Sequence, residues 1–250
     1  MRQAPTAVRR SLRLSVMEFT PRVGPRAYRV VQPRPPLRHT TLSDPFEGWG
    51  YLVGDHDGLA RLAALFSFAA FSRHTIVYIP LRRSIPRAFA PGVPVDLVLA
   101  HRSPGLRASA WPELRRRLRA GTPLTVRTDE ERTAAHAAAW EARWEQGWDR
   151  LDARDRIRPA VHAGTLFLLG ARDTFASAAT HLEAAAGFGP RGKRAAKGLD
   201  VLAASLTRHL PPSRGRHIEL DIGFQAYPPY THFRRPGRPA SRRCPTAASP

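Results

Sequence analysis

Three short segments of the 250-residue chain carry side chains suited to acid–base chemistry or anion binding, and each directly follows a predicted strand. They are Asp55-His56-Asp57, His101-Arg102-Ser103 and Arg172-Asp173. Ligands of open parallel sheets bind outside the carboxyl ends of the strands, so a pocket is expected there. A carboxylate, an imidazole and a guanidinium on one rim would supply a general base and an anion clamp. The candidate catalytic residues are therefore Asp55, Asp57, His101, Arg102 and Asp173.

The same residues also fit structural roles, which we favour at this point. Asp57 and Asp173 stand where the N-terminus of a helix needs a capping side chain. His101 ends a strand, where its ring would be hydrogen-bonded to a neighbour, and Arg172 belongs to a residue type that is mostly solvated. The catalytic interpretation depends in addition on a strand order that the sequence leaves open.

The nearest approach to a named motif lies at residues 187–194. This segment matches the P-loop pattern GxxxxGK, but Arg194 stands where Ser or Thr must hold magnesium. A P-loop also follows a strand and opens a helix, whereas this segment follows the end of a predicted helix. A flexible basic loop is the favoured interpretation. Neither Gly-x-Ser-x-Gly nor His-Glu-x-x-His occurs in the chain.

Two clusters of basic residues within the predicted fold are candidates for contact with phosphates or other anions. One lies on a predicted helix that begins at Trp111. The other lies in and directly after residues 187–194, which we call the glycine-rich segment. The candidate anion-binding residues are Arg115, Arg116, Arg117, Arg119, Arg191, Lys193, Arg194 and Lys197. A charged helix face is more often simply solvated, so the pattern by itself is weak evidence of a site.

The formal net charge of +20 would suit a nucleic-acid partner, but much of it lies at the two ends of the chain. Residues 1–38 contribute +8 and residues 232–250 contribute +5, so the middle is only mildly basic. Apart from two lysines the basic residues are arginines, which is typical of a GC-rich bacterial genome. Aromatic residues for base stacking are scarce among the terminal arginines, so nucleic acid is the less favoured anionic partner.

A single cysteine, Cys244, cannot form an internal disulfide, and no His or Cys stands beside it at metal-ligand spacing. This usage agrees with a reducing cytoplasm. The most apolar stretch, residues 59–72, contains Arg61 and is too short to span a bilayer. We expect a cytoplasmic protein with no membrane segment, no cofactor and no metal site, and the oligomeric state stays open.

Composition divides the chain into three parts. Residues 1–25 are predicted to be a basic, disordered extension or to result from a start site placed before a true start at Met17. An export signal is disfavoured because Glu18 and Pro21 interrupt the segment that would have to be apolar. Residues 26–225 are predicted to form one α/β domain. Residues 226–250, rich in Pro and Arg, are predicted to be a disordered tail.

Apolar patterning within the middle part predicts alternating strands and helices. Predicted strands cover residues 28–31, 49–53, 75–79, 95–100, 123–127, 165–169 and 217–222. Predicted helices cover residues 59–71, 111–118, 174–186 and 199–210, with a further long helix capped by Thr128. Residues 75–79 are continuously apolar, which indicates an interior strand, whereas residues 217–222 alternate and indicate an edge strand. The order predicts a three-layer α/β fold with a mostly parallel or mixed central sheet and helices on both faces.

The long helix after Thr128 carries Trp140, Trp144 and Trp148 at a spacing of four residues. This spacing places the three rings on one face. A core seam packed on the sheet is favoured over a partner interface or a stacking surface for a planar ligand.

These features together predict an α/β protein that binds an anionic partner, whether protein, nucleotide or nucleic acid, through arginine-rich surfaces. The alternative is a small enzyme whose pocket at the strand ends uses the candidate catalytic residues. A binding protein should carry its basic groups on one exposed face. An enzyme should bring the three segments to one concave site that holds a group with a strongly shifted pKa.

Overall fold

The computed structural model describes residues 12–47, 49–84, 92–147, 151–152, 155–189, 192–211 and 218–229. These residues form a three-layer α/β fold with a large mixed sheet and helices on both of its faces, as the sequence predicts. Within these ranges, no helix combines the length and the apolar character that crossing a membrane would require.

The described strands form a central sheet, a smaller sheet and a short hairpin. The central sheet contains β1 (Arg13–Phe19), β4 (Arg29–Pro33), β7 (Thr75–Ile79), β8 (Asp96–His101), β9 (Thr122–Arg127), β10 (Arg158–His162) and β11 (Thr165–Gly170). Their order is β10-β11-β8-β7-β4-β1-β9, with β4–β7 and β8–β11 as the parallel pairs. The smaller sheet contains β5 (Thr41–Leu42), β6 (Gly50–Gly54), β12 (Val201–Ser205) and β13 (Leu220–Phe224), in the order β12-β13-β6-β5. The hairpin pairs β2 (Arg22–Val23) with β3 (Arg26–Ala27).

The described helices are α1 (His56–Phe71), α2 (Trp111–Arg116), α3 (Glu130–Glu145), α4 (Arg172–Ala186) and α5 (Gly192–Ala196). Two of them connect the sheets in opposite directions. The chain leaves the smaller sheet at β6 and reaches β7 of the central sheet through α1. Later it leaves the central sheet at β11 and reaches β12 of the smaller sheet through α4.

The helices α1 and α4 pack against each other in antiparallel orientation. His56 at the start of α1 hydrogen-bonds through Nδ1 to the carbonyl of Ala186 at the end of α4, at 2.9 Å. Near the middle, the rings of Phe66 and Phe175 meet edge to face with centroids 6.0 Å apart. The carboxyl ends of β6 and β11 therefore lie at opposite ends of this helix pair.

The alternation of side chains along β8 shows how the central sheet is covered on both faces. Leu97 and Leu99 belong to the larger apolar core, which contains the buried faces of α1 and α4. Val98 and Ala100 belong to a second core, in which Trp111 of α2 is fully buried. The expectation that residues 75–79 form an interior strand is likewise confirmed, since β7 lies between β4 and β8.

Two predictions near the C-terminal end of the fold are wrong. Residues 199–210, predicted as a helix, form β12 and the 3-10 turn Thr207–His209. Residues 217–222 were expected to give an edge strand, but β13 lies between β12 and β6. Alanine and leucine are good helix formers, but propensities amount to less than about 1 kcal/mol per residue, and pairing with β13 outweighs that preference.

The predicted start of the folded part at residue 26 is also wrong. β1 lies inside the central sheet, paired with β4 on one side and β9 on the other. Its Leu14 and Val16 are buried between exposed or half-buried neighbours, which is the period-two pattern of a strand. At the other end, Ala226 is buried and Tyr227 stacks on His39 at 3.6 Å, so the first residues of the predicted tail pack on the fold. Residues 230–250 lie outside the described ranges.

The helix caps differ by one or two residues from those predicted. Asp55, not Asp57, caps α1, since its carboxylate accepts the N–H of Gly58 at 2.8 Å. Asp129, not Thr128, caps α3 in the same way. At α4 the N-cap is Ala171, so the predicted capping role of Asp173 is also wrong.

The tryptophan face of α3 is in part a core seam. Trp140 is fully buried, as predicted. Trp144 is half-buried and stacks on Trp140 with ring centroids 5.5 Å apart. Trp148 lies outside the described residues.

A buried polar network joins α3, α4 and the turn Thr207–His209. The hydroxyl of Ser177 donates to Glu141 at 2.8 Å, and Nε2–H of His209 donates to that hydroxyl at 2.9 Å. The His209 ring is fully buried and stacks on Trp140 at 4.4 Å. Burial lowers the pKa of His209 well below its ordinary value of 6.5, because a charged imidazole would lose its hydration there.

The position of β1 predicts that removing residues 1–16 will destabilise the protein, whereas removing residues 1–11 will leave β1 whole. The longer deletion takes away the buried Leu14 and Val16, and burial of such side chains contributes about 1.5–3 kcal/mol each. We expect its free energy of unfolding, measured in urea, to be lower than that of the shorter deletion by about 3 kcal/mol or more. Equal unfolding midpoints would contradict the placement of β1.

Three histidines, of which His209 belongs to this network, also predict that stability falls in mild acid. His101, His181 and His209 all have a pKa lowered by burial, so in the folded protein they take up protons only below the pH at which the unfolded chain does. Their contribution to the free energy of unfolding is fully present above about pH 7 and is lost as the pH falls below 6.5.

The measurement is urea unfolding at several pH values between 7.5 and 5, where each such group contributes a slope of up to about 1.4 kcal/mol per pH unit. His209→Gln should flatten the slope, while His162→Gln, at an exposed position, should leave it unchanged. If His209→Gln does not fold, the wild-type slope itself decides, because a free energy of unfolding that does not fall between pH 6.5 and 5 contradicts the prediction.

Candidate anion-binding clefts

The second of the three predicted segments lies at the carboxyl end of β8, beside the end of the parallel strand β11. His101 stands opposite Gly170 in the register of these two strands. The imidazole is buried, and its Nε2–H donates to the carbonyl of Ala69 at 2.8 Å and, less closely, to that of Ala70. Burial lowers the pKa of His101, so the ring is neutral and serves to tie β8 to the end of α1.

The third segment lies close to the second, but its carboxylate is engaged elsewhere. Asp173 in the first turn of α4 accepts hydrogen bonds from His136 at 2.8 Å and from Arg143 at 2.7 Å, both on α3. Although burial raises the pKa of Asp173, these two bonds hold it below its ordinary value. A carboxylate with a lowered pKa is a weak base, and this one connects α3 to α4.

The first segment is remote from the other two. Asp55 and Asp57 lie beside Ala186 at the end of α4, whereas Asp173 lies at its start. At a rise of about 1.5 Å per residue the two ends are roughly 20 Å apart. The prediction that all five candidate catalytic residues share one rim is therefore wrong, because β6 belongs to the smaller sheet and not to the central one.

His101 and Arg102 do line a cleft, of about 520 Å³, which we call the strand-end cleft. Its other basic residues are Arg156 and Arg158, which the sequence pattern did not single out. Its apolar wall includes Leu106, Ile157 and Leu169. No carboxylate occurs among the described residues that line it, so the cleft combines an apolar wall with three guanidinium groups.

The segment that carries Arg156 is held in place by contacts to α3 and to the turn Thr207–His209 with its C-cap Leu210. The indole N–H of Trp140 donates to the carbonyl of Asp155 at 2.8 Å, and the backbone N–H of Ile157 donates to that of His209 at 2.7 Å. The guanidinium of Arg156 itself donates to the carbonyl of Leu210 at 3.3 Å. The chain then enters β10, where Arg158 stands opposite Leu169 of β11 in the antiparallel register.

Electrostatics make this cleft attractive to an anion. Only 8% of Arg156 is exposed, and its burial lowers the pKa of the guanidinium because the charged form loses hydration. Asp155 acts in the opposite direction, but its carboxylate is 3.3 Å from Nε of Arg143 and is shared with that residue. Arg102 and Arg158 are exposed, so a bound anion would meet them at the mouth and Arg156 deeper in the wall.

A second basic cleft, of about 990 Å³, lies at the opposite end of β8. We call it the Asp96 cleft after the buried carboxylate in its wall. Its basic residues are Arg38, Arg82, Arg83 and Arg115. Five strand intervals of about 3.3 Å separate Asp96 from His101, so the two clefts are roughly 17 Å apart.

The predicted anion-binding residues do not form one surface. Arg115 lies in the Asp96 cleft, 3.4 Å from the Asp96 carboxylate. Arg117 is ion-paired with Glu113 at 2.6 Å, while Arg116 and Arg119 are exposed.

The second predicted cluster lies elsewhere on the fold. Arg194 and Lys197 are exposed on and after α5, next to the smaller sheet, where Gly198 accepts a hydrogen bond from Gln225. Arg191 and the side chain of Lys193 lie outside the described residues. The predicted single basic face is therefore wrong for the described members, because α2 covers the central sheet and α5 adjoins the smaller one.

Two other constellations do not form sites. Ser177 and His209 resemble a nucleophile and its base, but both are fully buried, and the serine hydroxyl donates its proton to a hydrogen bond with Glu141.

The glycine-rich segment at residues 187–194 contains Gly187, Gly189 and Gly192 in the pattern Gly-x-Gly-x-x-Gly. It follows the helix α4 and not a strand, so it lacks the context of a dinucleotide-binding turn. Within the described ranges, no group of three His, Cys, Asp or Glu side chains is arranged to hold a metal ion.

The arginines that sequence reasoning missed lie in segments that are unrelated along the chain. Arg82 and Arg83 follow one strand, Arg38 lies on a loop more than 40 residues before them, and Arg156 precedes another strand. Each stands in a different local context, and no spacing along the chain marks them as a group. Only the pairing of β7, β8 and β11 brings them to the two ends of β8.

Comparisons of this chain with protein-family models, with curated proteins and with solved structures found no match.

Proposed function

We propose that this protein binds a small organic anion, a phosphate or carboxylate group attached to an apolar body, in the strand-end cleft. The observation that carries the proposal is the convergence of Arg102, Arg156 and Arg158 on one cleft with an apolar wall. Ligand sites are typically concave and largely apolar, with a few charged groups that orient the ligand. A cytoplasmic location belongs to the same proposal and is supported by the single cysteine of the chain.

In this proposal the basic residues of the cleft bind the anionic group of the ligand, and the apolar residues contact its apolar body. Guanidinium groups offer planar pairs of N–H donors that match the oxygens of phosphate or carboxylate. Leu106, Ile157 and Leu169 would cover the remainder of the ligand and exclude water, which strengthens the charge–charge attraction. An inorganic anion would use only the first of these contributions.

Binding is better supported than catalysis by these residues. Nε2–H of His101 is engaged with carbonyls of α1, and Asp173 is engaged with α3. No described lining residue of the cleft supplies a carboxylate that could act as a base. The alternative prediction of an enzyme that uses Asp55 and Asp57 together with His101 loses its geometric support, because these residues lie at opposite ends of α4.

The proposal predicts that the protein binds phenyl phosphate more tightly than inorganic phosphate, as measured by isothermal titration calorimetry in about 150 mM salt. Arg102→Ala together with Arg158→Ala should weaken phenyl phosphate binding tenfold or more, because each charge-assisted hydrogen bond contributes about 1.5–3 kcal/mol. Both side chains are exposed, so the variant should fold.

The matched control is the variant Arg13→Ala with Arg127→Ala. These two exposed arginines face each other across β1 and β9, at the far edge of the central sheet, so the control removes the same charge. It should bind phenyl phosphate as the wild type does. Equal weakening in both variants would mean that net charge, and not the cleft, holds the ligand, and the proposal would then be wrong.

A further inference from the structure

The Asp96 cleft combines a buried anion with an excess of arginine. Asp96 is 3% exposed and accepts hydrogen bonds from several donors. The backbone N–H groups of Leu81 and Arg82 donate to Oδ1, both at 3.0 Å. Oδ2 accepts from the Tyr78 hydroxyl at 3.1 Å, from Nε of Arg82 at 3.0 Å and from Nη1 of Arg115 at 3.4 Å.

These contacts position Arg82 and Arg115 and leave other N–H donors of both guanidinium groups outside the bonds to Asp96. A guanidinium has five N–H donors on three nitrogens, and the bonds to Asp96 occupy one nitrogen of Arg82 and one of Arg115. The two side chains remain 36% and 30% exposed. Burial, followed by the nearby Asp96 carboxylate, raises the pKa of Tyr78 to about 12, so its hydroxyl stays a donor at neutral pH.

Two further arginines complete the cleft. Arg38 and Arg83 are exposed and line the same volume of about 990 Å³. Ser84 donates to the carbonyl of Leu37 at 2.8 Å, which fastens the chain segments that carry these two arginines to each other. Among the described residues that line the cleft, four guanidinium groups against one carboxylate give a net charge of three positive units.

We propose that the Asp96 cleft is a second binding site, independent of the strand-end cleft, and that it takes a chain of consecutive phosphate groups. Such a chain places several negative charges within a few ångströms of one another, which suits four guanidinium groups around one concave volume. The one aromatic residue among the described residues that line the cleft is Tyr78, which is buried with its hydroxyl on Asp96. Single-stranded nucleic acid binds by stacking its bases on exposed aromatic rings, so the cleft favours phosphates over bases.

The test is calorimetric titration of the full chain with sodium tripolyphosphate in about 150 mM salt, with inorganic phosphate, a nucleoside triphosphate and a 20-nucleotide single strand as further arms. Tripolyphosphate should bind at least tenfold more tightly than inorganic phosphate. Similar binding of the nucleoside triphosphate assigns the site to phosphate tails in general, and weaker binding assigns it to the free inorganic chain; either result supports the proposal. Binding of the single strand alone would overturn it.

Two double variants test whether the arginines of the Asp96 cleft bind the tripolyphosphate. Arg38→Ala with Arg83→Ala should weaken tripolyphosphate binding tenfold or more, because it removes two of the four guanidinium groups. Arg116→Ala with Arg119→Ala, at exposed positions outside the cleft, removes the same charge and should leave binding unchanged. Equal effects of the two variants would overturn the proposal.

The variant of the strand-end cleft separates this proposal from the proposed function. Arg102→Ala with Arg158→Ala should bind tripolyphosphate as the wild type does, since these residues are roughly 17 Å away at the other end of β8. A tenfold loss in that variant would place the phosphate chain in the strand-end cleft and overturn the second site. Loss of phenyl phosphate binding with unchanged tripolyphosphate binding supports two separate sites.

Discussion

The packing of α1 against α4 is the constraint on which the rest of this fold depends. Each helix connects one sheet to the other, and the two run in opposite directions. The two helices lie side by side, with Phe66 against Phe175 near their middle, and share one apolar core with residues of both sheets. This arrangement separates the end of β6 from that of β11 and so decides which polar segments meet.

Buried polar groups then position the basic ones. Removing a carboxylate from water is costly unless several donors surround it, and Asp96 has donors from the end of β7 and from α2. The Ser177–His209 network does the same for the segment that carries Arg156, because His209 also offers its backbone carbonyl to Ile157. Buried groups therefore hold part of each set of arginines: Asp96 holds Arg82 and Arg115, and the carbonyl of Leu210 holds Arg156.

Several elements could be predicted because their signal is local. Residues 75–79, 95–100 and 165–169 are apolar runs bounded by breaking residues, and each forms an inner strand. β1 was missed because its two buried residues, Leu14 and Val16, follow Arg13 and are separated by Ser15, so that composition suggested a basic extension. β12 was mistaken for a helix because leucine and alanine favour helix, and only pairing with its partner β13 makes residues 201–205 a strand.

The sequence by itself determined the fold class, the position of most strands and helices, and the presence of His101 and Arg102 at a strand end. It did not determine which charged residues share a cleft. Arg102 and Arg156 are 54 positions apart, and Arg38 and Arg115 are 77 apart. Charged side chains leave no periodic pattern when each comes from a different loop, so only strand order and helix packing decided that they converge.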